Sequence, residues 1–244
     1  MISIGDLRLG DIPQVVGVID HIVPVNDLRE LKKKGVDLFE VRLDRYNIDL
    51  NKTLEYLESI NAVVPAPLIG TVRETELNKQ SRVDIFRAMV PFVDCVDIEL
   101  GTPVWKKMLD AASGKTIMVS EHDFEKMPDR AGLEDLVKRA LDQGAHIVKI
   151  AAMARTSSDV TRLLRFTEDT DVPVVAIAMG EVGRISRVMA PLFGSLFTYG
   201  YIGESVAPGQ LSALKLAEEL SLYFGRGKKN KTQRSQRAQR GKRK

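Results

Sequence analysis

Cysteine is almost absent: Cys95 is the only one in 244 residues. A lone cysteine cannot close an internal disulfide, and its apolar setting in "VDCVDIEL" makes it a small core residue rather than a reactive thiol. Long hydrophobic runs are missing too. No stretch approaches the roughly 18 apolar residues of a membrane span and no charged-then-apolar leader opens the chain, so a cytoplasmic protein with no membrane contact is expected. Acids vanish from the last twenty positions, "GRGKKNKTQRSQRAQRGKRK" (225–244), which hold ten of the 36 Lys and Arg. The other 26 stand against all 33 acids, so the body carries a net −7 although the whole chain is at +3. A tail with no aliphatic or aromatic side chain larger than Ala cannot bury surface. It is expected to be disordered, either as a solubilising extension or as a loose, salt-sensitive attractor of polyanions.

What is present is a core-forming chain, 44% hydrophobic, with a regular internal pitch. Runs rich in β-branched residues recur at 15–20, 38–44, 68–73, 95–100, 116–122, 146–151, 172–179 and 196–200. Amphipathic segments lie between them, among them 26–35, 81–90, 103–113, 133–144 and 156–169, and "GQLSALKLAEELSLYFG" supplies a last helix. The segment at 156 opens on the cap run Thr156-Ser157-Ser158-Asp159. Eight strand–helix units predict a (β/α)8 barrel over residues 1–224, with an open doubly wound sheet as the alternative. The opening "ISIGDLRLG" reads as a hairpin that caps the barrel bottom.

In such a barrel the C-terminal strand ends converge on one mouth. Those ends collect Glu40, Arg42, Arg73, Glu99, His122, Lys149 and Met179. Lys149 is the conspicuous one, because "HIVKIAAM" sets a strongly hydrated cation in an apolar run. Period-two alternation puts Lys149 on the side of Ile147, facing the mouth, with Val148 and Ile150 facing the helices. Arginines and apolar walls around a lysine favour a neutral amine, which forms a Schiff base with a carbonyl. Of three histidines only His122 ends a strand beside Lys149, where it can move protons at the adjacent carbon. Plainer readings stand beside these: a Lys149–Glu99 ion pair, a turn-capping His122, a structural Glu40–Arg42 pair, and Met179 as a wall of the site.

The ordered set "FEVRLD", "TVR", "DIEL", "SEHDF", "IVKIA", "AMGEVGRISR", "FGS" and "APGQLS" resembles the type I 3-dehydroquinate dehydratases across residues 1–224. The resemblance implies a cofactor-free and metal-free barrel enzyme that converts 3-dehydroquinate to 3-dehydroshikimate in the shikimate pathway, and a homodimer. It implies that Lys149 forms the Schiff base and His122 moves the protons. It further implies that Glu40, Arg42 and Arg73 hold substrate hydroxyls while Arg187 and Gln210 grip the carboxylate. Three positions depart from the family pattern toward apolar residues. Leu77 falls where an acid usually orients the histidine, with Glu76 next to it; Val206 and Val18 fall where serines are usual. Two other readings stay open. One is a different Schiff-base lyase or aldolase with "MGEVGR" as a phosphate cradle, and the other is an impaired barrel acting as a scaffold through its tail.

Overall fold

Eight of the β-branched runs extend and pair side by side in the computed structural model, which describes residues 2–46, 49–204 and 209–225. The strands are β1 (Ser3–Ile4), β2 (Leu7–Arg8), β3 (Gln14–Ile19), β4 (Leu38–Arg42), β5 (Leu68–Thr71), β6 (Cys95–Glu99), β7 (Thr116–Asp123), β8 (Ile147–Met153), β9 (Val174–Met179) and β10 (Phe197–Tyr201). From β3 to β10 every pairing is parallel, in the order β10-β3-β4-β5-β6-β7-β8-β9. The seam between β9 and β10 is bridged where the Leu196 amide donates to the Val174 carbonyl at 2.9 Å. The expected barrel is therefore the fold.

Helices return the chain between strands: α1 (Val25–Lys33), α2 (Leu50–Val63), α3 (Arg82–Met89), α4 (Trp105–Ala111), α5 (Arg130–Asp142), α6 (Ser157–Asp169), the short α7 (Gly180–Gly183) and α8 (Ser186–Met189), and α9 (Ala213–Phe224). The run at 156 does cap α6, with Thr156 and Asp159 bonding each other's backbone amides in a capping box. Helix α2, which the segments named from the sequence leave out, starts on an Asp49 cap and buries Thr53, Leu57 and Ile60. None of the described helices is long and apolar enough to cross a membrane.

Alternation along the strands creates two cores. Outward residues such as Val148, Ile150, Val96 and Val41 pack against the helices, and inward ones such as Ile147, Ile69, Leu38 and Cys95 fill the barrel. The β1–β2 hairpin adds Ile4 and Leu9 to the inner cluster, and Thr116 Oγ1 donates to the Ser3 carbonyl at 2.9 Å. Near the start of β8, His146 Nδ1 accepts from the Ile117 amide at 3.0 Å. With the bottom filled by side chains, the open end is the C-terminal one.

Candidate active site

Above the apolar plug the inward positions turn polar and remain buried: Glu40, Thr71, Asp97, Ser120 and Lys149. A cation here needs partners. Lys149 Nζ donates to Glu40 Oε2 and to Asp97 Oδ2, both at 3.1 Å, and lies 4.0 Å from the centroid of the Tyr199 ring. The ion pair anticipated with Glu99 is not the one formed. Glu99 instead pairs with Arg82 and lies 3.3 Å from Arg73 Nη1. The nearest charges to the amine are thus carboxylates rather than the arginines the sequence suggested.

Each carboxylate has a second set of bonds. Thr71 Oγ1 donates to Glu40 Oε1 at 2.9 Å. Ser120 Oγ donates to Asp97 Oδ1 at 2.5 Å, and Arg73 Nη2 lies 3.0 Å from the same oxygen while donating to Ser120 Oγ at 2.8 Å. Burial works against ionisation of Asp97, but Arg73, Lys149 and the Ser120 bond outweigh it and hold the carboxyl well below its usual range. Burial likewise opposes the Glu40 charge, and Lys149 overcomes it, leaving that carboxyl low as well.

His122 lies at the C-terminal end of β7, stacked on Phe124 with ring centroids 6.1 Å apart. Burial and the cations Lys149 and Arg73 push its pKa down to about 3, against a smaller pull from Asp97 and Glu40. Neutral imidazole is the form present at pH 7. Among the described residues no carboxylate hydrogen-bonds this ring. Leu77, where the resemblance places an orienting acid, is 97% exposed, and Glu76 is exposed beside it. Val18 packs against the inner cluster, paired across the ladder with Glu40. Val206 lies outside the described residues.

The other anticipated residues surround this centre in different ways. Arg42 is gripped by Asp44 through two bonds of 3.0 and 2.8 Å. Met179 ends β9 and packs on the inner cluster. Arg187, at the start of α8, is buried and donates to the Gly209 and Tyr199 carbonyls at 3.0 and 3.1 Å. No carboxylate among the described residues pairs with it, and burial alone brings its pKa down to about 10. A buried guanidinium without an acid is a ready anion site. Gln210 follows Gly209, partly buried. Across the same region, Glu181 at the start of α7 accepts from the Gly209 amide at 3.2 Å and pairs with Arg184. A carboxylate at that helix start repels phosphate, which removes the cradle reading of "MGEVGR".

Four buried residues escaped the sequence reading: Thr71, Asp97, Ser120 and Tyr199. All four point inward, and three of them lie two residues before a mouth residue that was singled out: Thr71 before Arg73, Asp97 before Glu99, Ser120 before His122. Carrying the period-two pattern one step down from the mouth would have found these three; no strand-end residue singled out from the sequence points to Tyr199.

An inner layer of ion-paired polar groups at the C-terminal end of a parallel barrel defines a (β/α)8-barrel enzyme, and its relatives place it among the hydro-lyases. A family model for type I 3-dehydroquinase matches residues 19–226, and the chain belongs to that family. It is 32% identical over 235 residues to the 3-dehydroquinate dehydratase of Methanococcoides burtonii, covering 91% of this chain and 99% of the relative. The Methanocella arvoryzae 3-dehydroquinate dehydratase is 34% identical over 213 residues, 84% of this chain and 95% of that one. The Clostridium difficile type I enzyme, solved with covalently modified comenic acid, superposes with a TM-score of 0.79 at 25% identity, over 92% of this chain and 98% of its own.

Proposed function

We propose that this hydro-lyase removes water from 3-dehydroquinate through a Schiff base on Lys149, with His122 as the proton carrier. The observation that carries the reading is Lys149 itself: among the described residues it is the only buried lysine, and it stands on the inner face of β8. Its amine attacks the ring ketone, and loss of water from that adduct gives an iminium. The iminium acidifies the neighbouring C–H, neutral His122 takes that proton, and the electron pair expels the β-hydroxyl, which leaves with a proton as water. Hydrolysis of the conjugated iminium frees the amine and the product, 3-dehydroshikimate. Glu40, Arg42 and Arg73 hold substrate hydroxyls at the mouth, Met179 forms an apolar wall, and Arg187 with Gln210 receives the substrate carboxylate. The chemistry assigned to these residues calls on no metal or organic cofactor. The same reading makes the working form a cytoplasmic homodimer, with residues 1–224 as its catalytic domain and the basic segment 225–244 as a separate tail with weak, salt-sensitive attraction to polyanions.

The test is made at Arg187, whose role is binding rather than chemistry. Arg187→Ala should raise KM for 3-dehydroquinate on the order of 100-fold, the worth of a charge-assisted bond pair, with kcat falling less. Turnover is followed by the absorbance of the enone product. An unchanged KM would remove Arg187 from the site.

A further inference from the structure

We propose that Glu40 is the proton carrier of imine formation at Lys149, taking a proton from the amine before attack and returning it to the departing oxygen, while Asp97 remains a permanent counterion. This rests on the reading of Lys149 as the nucleophile. The amine must lose a proton before its lone pair can attack, and the groups touching it limit where that proton goes. Two oxygens touch Nζ, Glu40 Oε2 and Asp97 Oδ2, and the Tyr199 ring covers a further side. Among the described residues His122 makes no hydrogen bond to Nζ.

The two carboxylates differ in what else they bind. Asp97 faces Lys149 on one oxygen and Arg73 on the other, so protonating it would strip a neighbour from a largely buried guanidinium. Its negative charge is wanted whatever state Lys149 is in. Glu40 has the neutral Thr71 hydroxyl on its other oxygen. That hydroxyl can donate equally to a carboxylate or to the carbonyl of a carboxylic acid, so Glu40 keeps its orientation in both protonation states. Burial, which opposes the Glu40 charge, is offset chiefly by Lys149, and that support goes when the amine gives up its proton.

The steps balance. The N–H bond of the ammonium breaks and an O–H bond forms on Glu40, leaving the cluster of Glu40, Asp97, Lys149 and Arg73 at the same total charge. The lone pair forms the N–C bond to the ketone carbon, and a proton moves from nitrogen to the former carbonyl oxygen to give the carbinolamine. Glu40 then protonates that hydroxyl, the C–O bond breaks, water leaves, and the iminium faces two carboxylates again.

The experiment is timed borohydride quenching followed by intact mass, using 3-oxocyclohexane-1-carboxylate, which has a ring ketone and a carboxylate but no hydroxyl for Glu40 to hold. Glu40→Gln should slow adduct formation by about 100-fold or more, the usual worth of a positioned acid–base group. Thr71→Val, which leaves the carboxyl but removes its anchor, should slow it several-fold. A Glu40 that served only as counterion or hydroxyl grip would leave Glu40→Gln trapping this ketone at the wild-type rate or faster, and that result would overturn the proposal. Should Glu40→Gln lose the native circular dichroism, Glu40→Asp keeps the charge but withdraws the carboxyl from Nζ. Slow trapping in that variant supports the carrier role, and wild-type trapping overturns it. Wild-type protein that forms no adduct on Lys149 with this ketone or with 3-dehydroquinate would overturn both this proposal and the nucleophile assignment. Normal wild-type trapping with fast Glu40→Gln trapping would overturn this proposal alone.

Discussion

At the residue scale, His122 ties the chemistry of the site to its stability. Its folded pKa of about 3 lies below the ordinary 6.5, so between those values the unfolded chain holds a proton that the native site refuses. The penalty is absent above pH 6.5, grows as pH falls toward 3, and levels off below. His122→Gln should therefore gain stability relative to wild type as pH is lowered from 7 to 4, by about 3 kcal/mol at pH 4. Urea midpoints over that range measure it, and parallel pH curves for the two proteins would contradict it. Individual residues were legible where a polar side chain stands near the C-terminal end of an apolar run, as with Lys149, His122, Glu40 and Arg73. Asp97 was not, because reading only the rim leaves out the layer beneath, and that layer supplies the charges that decide how the amine behaves. The departure at Leu77 was legible as a substitution, and among the described residues no carboxylate hydrogen-bonds the His122 ring, although Asp97 and Glu40 still act on it electrostatically.

At the element scale, Arg187 and Glu181 are tied to Gly209 through its backbone. Gly209 sits at φ +77° with its amide on Glu181 and its carbonyl on Arg187, and a Cβ there would come within 2.3 Å of the Gly180 carbonyl oxygen. A side chain is thus excluded twice, by conformation and by space. Gly209→Ala should push the carbonyl off Arg187 and raise KM for 3-dehydroquinate roughly tenfold, with a stability loss of about 1–3 kcal/mol from local strain. Steady-state kinetics and thermal melts check it; an unaltered KM would show that Arg187 holds its position without this carbonyl. Such a site cannot be read from periodicity, since Arg187, Gly209 and Gln210 lie on no strand, and only the ordered motifs of the family pointed to Arg187 and Gln210. Strands and most helices were legible within a few residues because the barrel needs apolar faces at fixed spacing. The observed β4 and β5 stop two residues short of their apolar runs, at Arg42 and Thr71, where the chain turns away toward the mouth.

At the scale of the whole molecule, the barrel was legible because eight β-branched runs at near-constant pitch leave few other ways to bury them. Closure was not, since the bond from Leu196 to Val174 is a matter of geometry rather than composition. What the fold accomplishes is to carry groups 109 and 52 residues from Lys149 in sequence, Glu40 and Asp97, to within 3.1 Å of its amine. Whether this amine is the nucleophile is read out by borohydride reduction of the full chain mixed with 3-dehydroquinate, followed by intact mass and peptide mapping. One reduced adduct per chain is expected, on the peptide that contains Lys149, and none in Lys149→Ala. An adduct on Lys107 or Lys115, or turnover of 3-dehydroquinate by Lys149→Ala, would contradict it.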